Sequence, residues 1–208
     1  MVSIDNSKEG KIPWNKGKLI GQKLPLQASQ VWSIRTLLAK SGNTRDLALF
    51  NLAIDSKLRG CDLVALKRGD VAHSNRVLNR ATVMQKKTHS PVTFEITDKT
   101  RSALERWFAE ADIRHDEYIF QSRLHDSPHI GTRTYARIVQ GWVQSIGLDP
   151  ADYGTHSLRR TKASLLYKMR HNLREIQILL GHKKIESTVH YLGITVEDAL
   201  ESSEHLDL

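Results

Sequence analysis

His156 and Arg159, in the run Gly154-Thr-His-Ser-Leu-Arg-Arg160, stand three residues apart and so share one face of a helix. Leu180-Gly-His182 places a second imidazole behind an apolar segment, with Gly181 as a usual helix breaker. Tyr191 follows nine residues later. A phosphodiester under attack gathers negative charge on its non-bridging oxygens, and planar guanidinium groups answer that charge with paired hydrogen bonds. A phenol, with a pKa of about 10, becomes a nucleophile when its phenolate is stabilised or a neighbour takes its proton. The departing sugar oxygen needs a proton, which a lysine on a hairpin turn can deliver. Together these side chains suit attack by a tyrosine on a nucleic-acid backbone without a metal ion. His125 and His129 are four apart, but Pro128 argues against a helix there, and no carboxylate pair supports a two-metal site. No metal and no cofactor are expected.

The elements needed to hold these groups are mostly helical. Val31, Ile34, Leu37 and Leu38 recur at helix spacing until Ser41-Gly42-Asn43 interrupts them. Residues 46–57 read as a buried helix and 61–67 as another. Arg80 to Met84 and Val92 to Ile96 are β-rich runs around the polar turn Lys86-Lys-Thr-His-Ser90, which predicts a hairpin. Helices are expected again over 100–110, 132–146, 157–169, 173–180 and 187–191, with a short strand at 118–120. Thr155 is the expected N-cap of the helix carrying His156 and Arg159. The fold class is therefore mainly α with a small antiparallel sheet. Tyr118, Tyr135, Tyr153 and Tyr167 read as ordinary half-buried aromatics.

The chain has 208 residues, 39% of them hydrophobic, which is enough for a sizeable core. One cysteine, Cys61, excludes an intramolecular disulfide and fits a reducing cytoplasm. No apolar run spans a membrane and no secretory pattern opens the chain. The net charge of +8 makes a polyanion the expected partner. Residues 1–23, with five lysines, read as a basic flexible arm, and 196–208 as a C-terminal helix or tail. Arg160, Lys162, Lys168 and Arg170 are expected to form a basic face towards phosphates.

The ordered set resembles the tyrosine recombinase (phage integrase) family over about residues 24–195. His156-Ser-Leu-Arg159, Leu180-Gly-His182 and Ser187-Thr-Val-His-Tyr191 match its later boxes; Arg59 in Lys57-Leu-Arg-Gly-Cys-Asp62 matches the first. Gln85-Lys-Lys87-Thr looks like the hairpin that carries the lysine. The resemblance implies Tyr191 as nucleophile forming a 3′-phosphotyrosyl link, Arg59 and Arg159 as phosphate clamps and Lys87 as general acid, with Lys86 as the alternative. It implies His156 as the proton partner of the tyrosine, His182 as a hydrogen-bond donor, and Arg160, Lys162 and Lys86 as DNA contacts. The expected partner is double-stranded DNA with specific sites, engaged by a homo-tetramer and assisted by an accessory DNA-bending protein in a nucleoid setting. The family's usual Glu after the first arginine is Asp62 here, and the small residues before that arginine are replaced by Ser56-Lys57. The family's N-terminal DNA-clamping domain has no counterpart in these residues, which likens the chain to short members such as the fimbrial invertases. A type IB topoisomerase-like relaxation and a non-catalytic DNA-binding factor are the alternative readings.

Overall fold

The structure, a computed structural model, describes residues 22–74, 76–123, 127–194, 200 and 204. Helix α1 (Ala28–Lys40) turns at Gly42 into α2 (Thr44–Ser56), whose N-cap Asn43 accepts from the Asp46 amide at 3.1 Å. Short helices α3 (Gly60–Leu63) and α4 (Arg68–Val71) lead to a two-residue pair, β1 (Ala72–His73) with β2 (Arg76–Val77), and then to the hairpin β3 (Arg80–Met84) and β4 (Pro91–Glu95). Five helices follow: α5 (Asp98–Glu110), α6 (Thr132–Ser145), α7 (Thr155–Arg170), α8 (Leu173–Leu180) and α9 (Ile185–Leu192). The hairpin is antiparallel with Ala81 opposite Phe94 and Val83 opposite Val92. The fold is mainly helical with small antiparallel sheets, as the sequence predicts.

Apolar residues on every side of α2 explain its place at the centre. Ala48, Leu49, Phe50 and Leu52 are fully buried, and α2 is covered by α1, α5 and α7. Phe50 meets the edge of Trp142 from α6 at 5.4 Å, and Trp142 Nε1 donates to Asp46 Oδ2 at 3.1 Å. A second, much smaller apolar cluster, built on Ala163, Ile176 and Leu180, supports Tyr191 and Leu192 of α9. Tyr135 is fully buried rather than half-buried.

Four sequence expectations are revised. The helix predicted over 61–67 stops at Leu63, because Leu66 and Arg68 pair instead with the 117–119 segment: Ile119 N donates to Leu66 O and Arg68 N to Glu117 O, both at 2.9 Å. That pairing also reduces the strand expected at 118–120 to an isolated bridge between Lys67 and Tyr118. Helix α7 starts two residues earlier than predicted, with Gly154 as N-cap, because the Ser157 hydroxyl accepts from the Gly154 amide at 3.0 Å. The expected arm ends in a fixed segment: Leu24 N donates to Asp152 O at 2.9 Å and Gln22 Nε2 to His190 O at 2.7 Å. Residues 1–21 of that arm and most of the expected C-terminal helix (195–199, 201–203, 205–208) lie outside the described residues. Among the described residues no helix is long and apolar enough to cross a membrane.

Candidate active site

Arg59 owes its position to an unusual helix end. Helix α2 closes on Lys57 in the left-handed region, φ 54°, a conformation that favours glycine. Lysine is held there because its ammonium is buried against Asp55 O at 2.6 Å and Glu95 Oε1 at 3.0 Å. The chain then leaves extended at Arg59 (φ −65°, ψ 148°), and Arg59 O starts α3 by accepting from the Asp62 and Leu63 amides. Arg59 Nη1 donates to Gln85 Oε1 at 2.6 Å, which ties it to the end of β3.

Lys86 and Lys87 sit exposed in the turn that follows β3. Asp62 Oδ1 accepts from the Lys86 amide at 3.0 Å, so the carboxylate that replaces the family's glutamate anchors the turn. Lys87 bears on His156: although His156 is exposed at the surface, partial desolvation lowers its pKa, and the charges of Arg159, Arg59, Arg160 and Lys87 lower it further.

Arg159 rises from the second turn of α7 and is 3% exposed. Its Nη2 donates to Leu180 O at 2.9 Å, satisfying a carbonyl at the end of α8. Gly181 then reverses the chain with φ +66°, and a Cβ there would stand 2.5 Å from Val92 Cγ2, so both the turn and the closeness of the hairpin require glycine. His182 is held by its neighbours: its carbonyl accepts from Gln177 Nε2 at 3.0 Å, and its Nδ1 lies 3.1 Å from Thr188 Oγ1. Burial, with Arg159 and Arg59 nearby, lowers the His182 pKa to about 4, so its imidazole is neutral at pH 7.

Tyr191 lies on α9 with its ring edge against His182, centroids 5.3 Å apart. The guanidinium carbons of Arg159 and Arg160 lie 5.6 and 5.7 Å from its ring centre. Burial pushes the Tyr191 phenol up to about 12, against the downward pull of Arg159 and Arg160. Tyr191 Oη, Arg159 Nη1 and Arg160 Nε are buried and make no hydrogen bond of full geometry, although the Arg159 guanidinium lies close enough to the phenol to pull its pKa down. Donors left without a partner beside a phenol are groups that an anion's oxygens would satisfy.

Arg59, His156, Arg159, His182 and Tyr191 thus converge, with Lys87 on the adjoining turn. Arg160 and Lys162 do not form the exposed basic face expected of them, although the Arg160 guanidinium stays beside the Tyr191 phenol. Arg160 is 6% exposed, and its Nη1 and Nη2 donate to Lys23 O (2.6 Å) and Leu192 O (3.4 Å), strapping the N-terminal segment to the tyrosine helix. Lys162 Nζ is 2.7 Å from Asp55 Oδ1 and 2.5 Å from Glu95 Oε1, in the interior of the helix packing. Their places on α7 turn both side chains inward, whereas Lys168 and Arg170 are exposed as expected. Of the two histidines weighed for metal, His125 lies outside the described residues, and His129 packs against Tyr118 at 4.8 Å. Gln85, Gln177 and Thr188 are site supports that the sequence reading passes over. The alternation Ala81, Val83, Gln85 would have pointed Gln85 inward, and the three-residue spacing to Tyr191 would have placed Thr188 on the same helix face.

Residues 25–197 match the phage integrase family. The chain is 30% identical over 159 residues to the probable integrase/recombinase YoeC of Bacillus subtilis, covering 73% of this chain and 79% of that protein. It is 26% identical over 199 residues to tyrosine recombinase XerC of Corynebacterium efficiens, covering 92% of this chain but only 59% of that protein. The fold superposes on the XerA recombinase structure with a TM-score of 0.72 at 19% identity, covering 90% of this chain and 67% of that one. The XerH recombinase bound to its difH substrate gives 0.67 at 21% identity, covering 88% and 55% respectively.

Proposed function

Because this chain belongs to the phage integrase family, we propose that it cuts and rejoins double-stranded DNA at specific sites by transesterification on Tyr191. The observation that carries this reading is the buried Tyr191 hydroxyl, set beside His182 and two guanidinium groups that no carboxylate pairs among the described residues. The relatives support it in kind: one is named a site-specific recombinase and was solved with its DNA substrate. The chain spans 59% of the length of the XerC relative, so the reading concerns what this portion supplies.

In the proposed reaction Arg59 and Arg159 hold the non-bridging oxygens, and the bond from Tyr191 Oη to phosphorus forms as the bond to the 5′ oxygen breaks. The phenol proton passes to His156, whose lowered pKa leaves it neutral and able to accept at pH 7. Lys87 gives a proton to the departing 5′ oxygen, and Lys86 on the same turn contacts the backbone. With the Thr188 hydroxyl donating to Nδ1, His182 carries its proton on Nε2 and donates it to the phosphate. The 3′-phosphotyrosyl link retains the phosphodiester bond energy, so rejoining needs no nucleotide cofactor. The active assembly is a tetramer on paired sites, with an accessory DNA-bending protein where the sites are long.

The test uses a nicked suicide duplex selected from a randomised library for tight binding. A protein–DNA adduct that survives denaturing electrophoresis is expected from the parent and absent from Tyr191→Phe. Tight binding without any adduct would instead assign the chain a DNA-binding role without cleavage. Relaxation of any supercoiled plasmid by monomer would favour the topoisomerase-like alternative.

A further inference from the structure

We infer that Gln85 is a positioning residue of this site, holding Arg59 to the lysine-bearing turn through a neutral acceptor that leaves the guanidinium charge free for an anion. The inference rests on the proposed role of Tyr191 as nucleophile.

Gln85 is 1% exposed and stands where β3 ends and the turn begins. Its Oε1 accepts two hydrogen bonds, from Arg59 Nη1 at 2.6 Å and from Thr88 Oγ1 at 2.8 Å. Arginine only donates, so the atom facing it is the amide oxygen. The backbone of Gln85 closes the same turn, its amide donating to Ser90 O at 3.0 Å and its carbonyl accepting from His89 N at 2.9 Å. Its Nε2 is buried without a partner and stands 3.5 Å from where a Cβ on Gly181 would be, beside the residue that precedes His182. One side chain therefore binds the first arginine and the lysine turn and stands beside the loop leading to the second histidine. Asp62 pins the turn from the other side through the Lys86 amide, so displacing the turn means displacing Arg59.

The choice of an amide matters electrostatically. A glutamate of the same shape would hold Arg59 at least as firmly, through a charge-assisted bond, but would neutralise it in a half-buried setting. A methionine would fill the space and hold nothing. A residue that only supports the fold would tolerate glutamate; one that keeps Arg59 cationic would not.

The experiment compares the parent with Gln85→Glu and Gln85→Met, measuring adduct formation on the selected nicked duplex and the melting temperature. Two versions of the duplex are used, one with the ordinary 5′ bridging oxygen and one with sulfur there, whose thiolate departs without a proton. Gln85→Glu is expected to slow the adduct about 100-fold on both duplexes, with melting unchanged or raised. Gln85→Met is expected to slow both and to lower melting. A Gln85→Glu rate within about threefold of the parent overturns the inference. So does recovery on the sulfur duplex, which would confine Gln85 to the lysine. If the parent forms no adduct, the role of Tyr191 falls on its own, and inorganic phosphate decides the matter. A smaller phosphate-induced rise in melting for Gln85→Glu than for the parent upholds the inference; an equal rise overturns it.

Discussion

Lys57 and Arg59 are two residues apart, and Arg159 and Lys162 three, yet the lysines and the arginines belong to clusters of opposite character. Lys57 and Lys162 share Glu95; Lys162 also pairs with Asp55 Oδ1 while Lys57 donates to the Asp55 backbone carbonyl, and Asp55 Oδ2 accepts from the Thr97 amide and hydroxyl and from the Thr100 hydroxyl. Burial pushes the Asp55 carboxyl up, but the bonds from Lys162, Thr100 and Thr97 outweigh it and hold it below the usual carboxylate range. Two cations and two anions close on themselves and join α2, β4, α5 and α7. Arg59, Arg159 and Arg160 have no carboxylate within ion-pair distance among the described residues, and their shared neighbour is a buried phenol. In a medium of low dielectric the first arrangement is complete, and the second is completed by an added anion. Charge type alone does not separate structure from function; the local balance of charge does.

Arg159→Met should give the largest effect. Adduct formation should fall about 100- to 1000-fold, with melting unchanged or raised, because a buried unpaired charge is removed. A matching loss of stability would erase the contrast between the clusters. Asp55→Asn should do the reverse, lowering unfolding free energy by about 3 kcal/mol in urea titrations while adduct formation per folded molecule stays at the parent level.

Acid titration separates the clusters by pH. The His182 pKa is lowered in the folded state to about 4, so stability falls as pH drops from about 6.5 to about 4, where only the unfolded chain takes up that proton. The Asp55 and Glu95 carboxyls are also lowered, so their contribution is present above about 4 and is lost below it. His182→Asn should therefore reduce the slope of the upper part of the melting-versus-pH curve, His156 supplying what remains, and leave the lower part intact. The smallest effect separates two lysines. Lys86→Ala should reduce the salt slope of DNA binding by about 1, whereas Lys162→Met should leave it unchanged, because the Lys162 ammonium faces carboxylates.

The hairpin, the central α2 and the α7–α8–α9 succession were legible in the sequence because periodicity and glycine punctuation report local structure. Helix 61–67 was misread because its apolar residues satisfy a helix and a cross-chain pairing equally well, and only the distant 117–119 segment selects between them. The convergence of His156, Arg159, His182 and Tyr191 was legible because all four lie within 36 residues, on consecutive helices and the short turn between two of them, where turn lengths nearly dictate geometry. The expected exposure of Arg160 and Lys162 failed because a cation's type says nothing about whether its helix face meets solvent, backbone carbonyls as for Arg160, or carboxylates as for Lys162.

By itself the amino-acid order determined the candidate groups, most of the helices that carry them and the turn that bears Lys86 and Lys87, since each depends on residues close together in the chain. Only the tertiary structure decided which cations are neutralised. Asp55 meets Lys162 across 107 residues and Arg59 meets Gln85 across 26, so those pairings exist only once the helices and hairpin have packed. The same packing buries the Tyr191 hydroxyl beside guanidinium groups that no carboxylate neutralises among the described residues, and the proposed phosphate site rests on that local imbalance of charge.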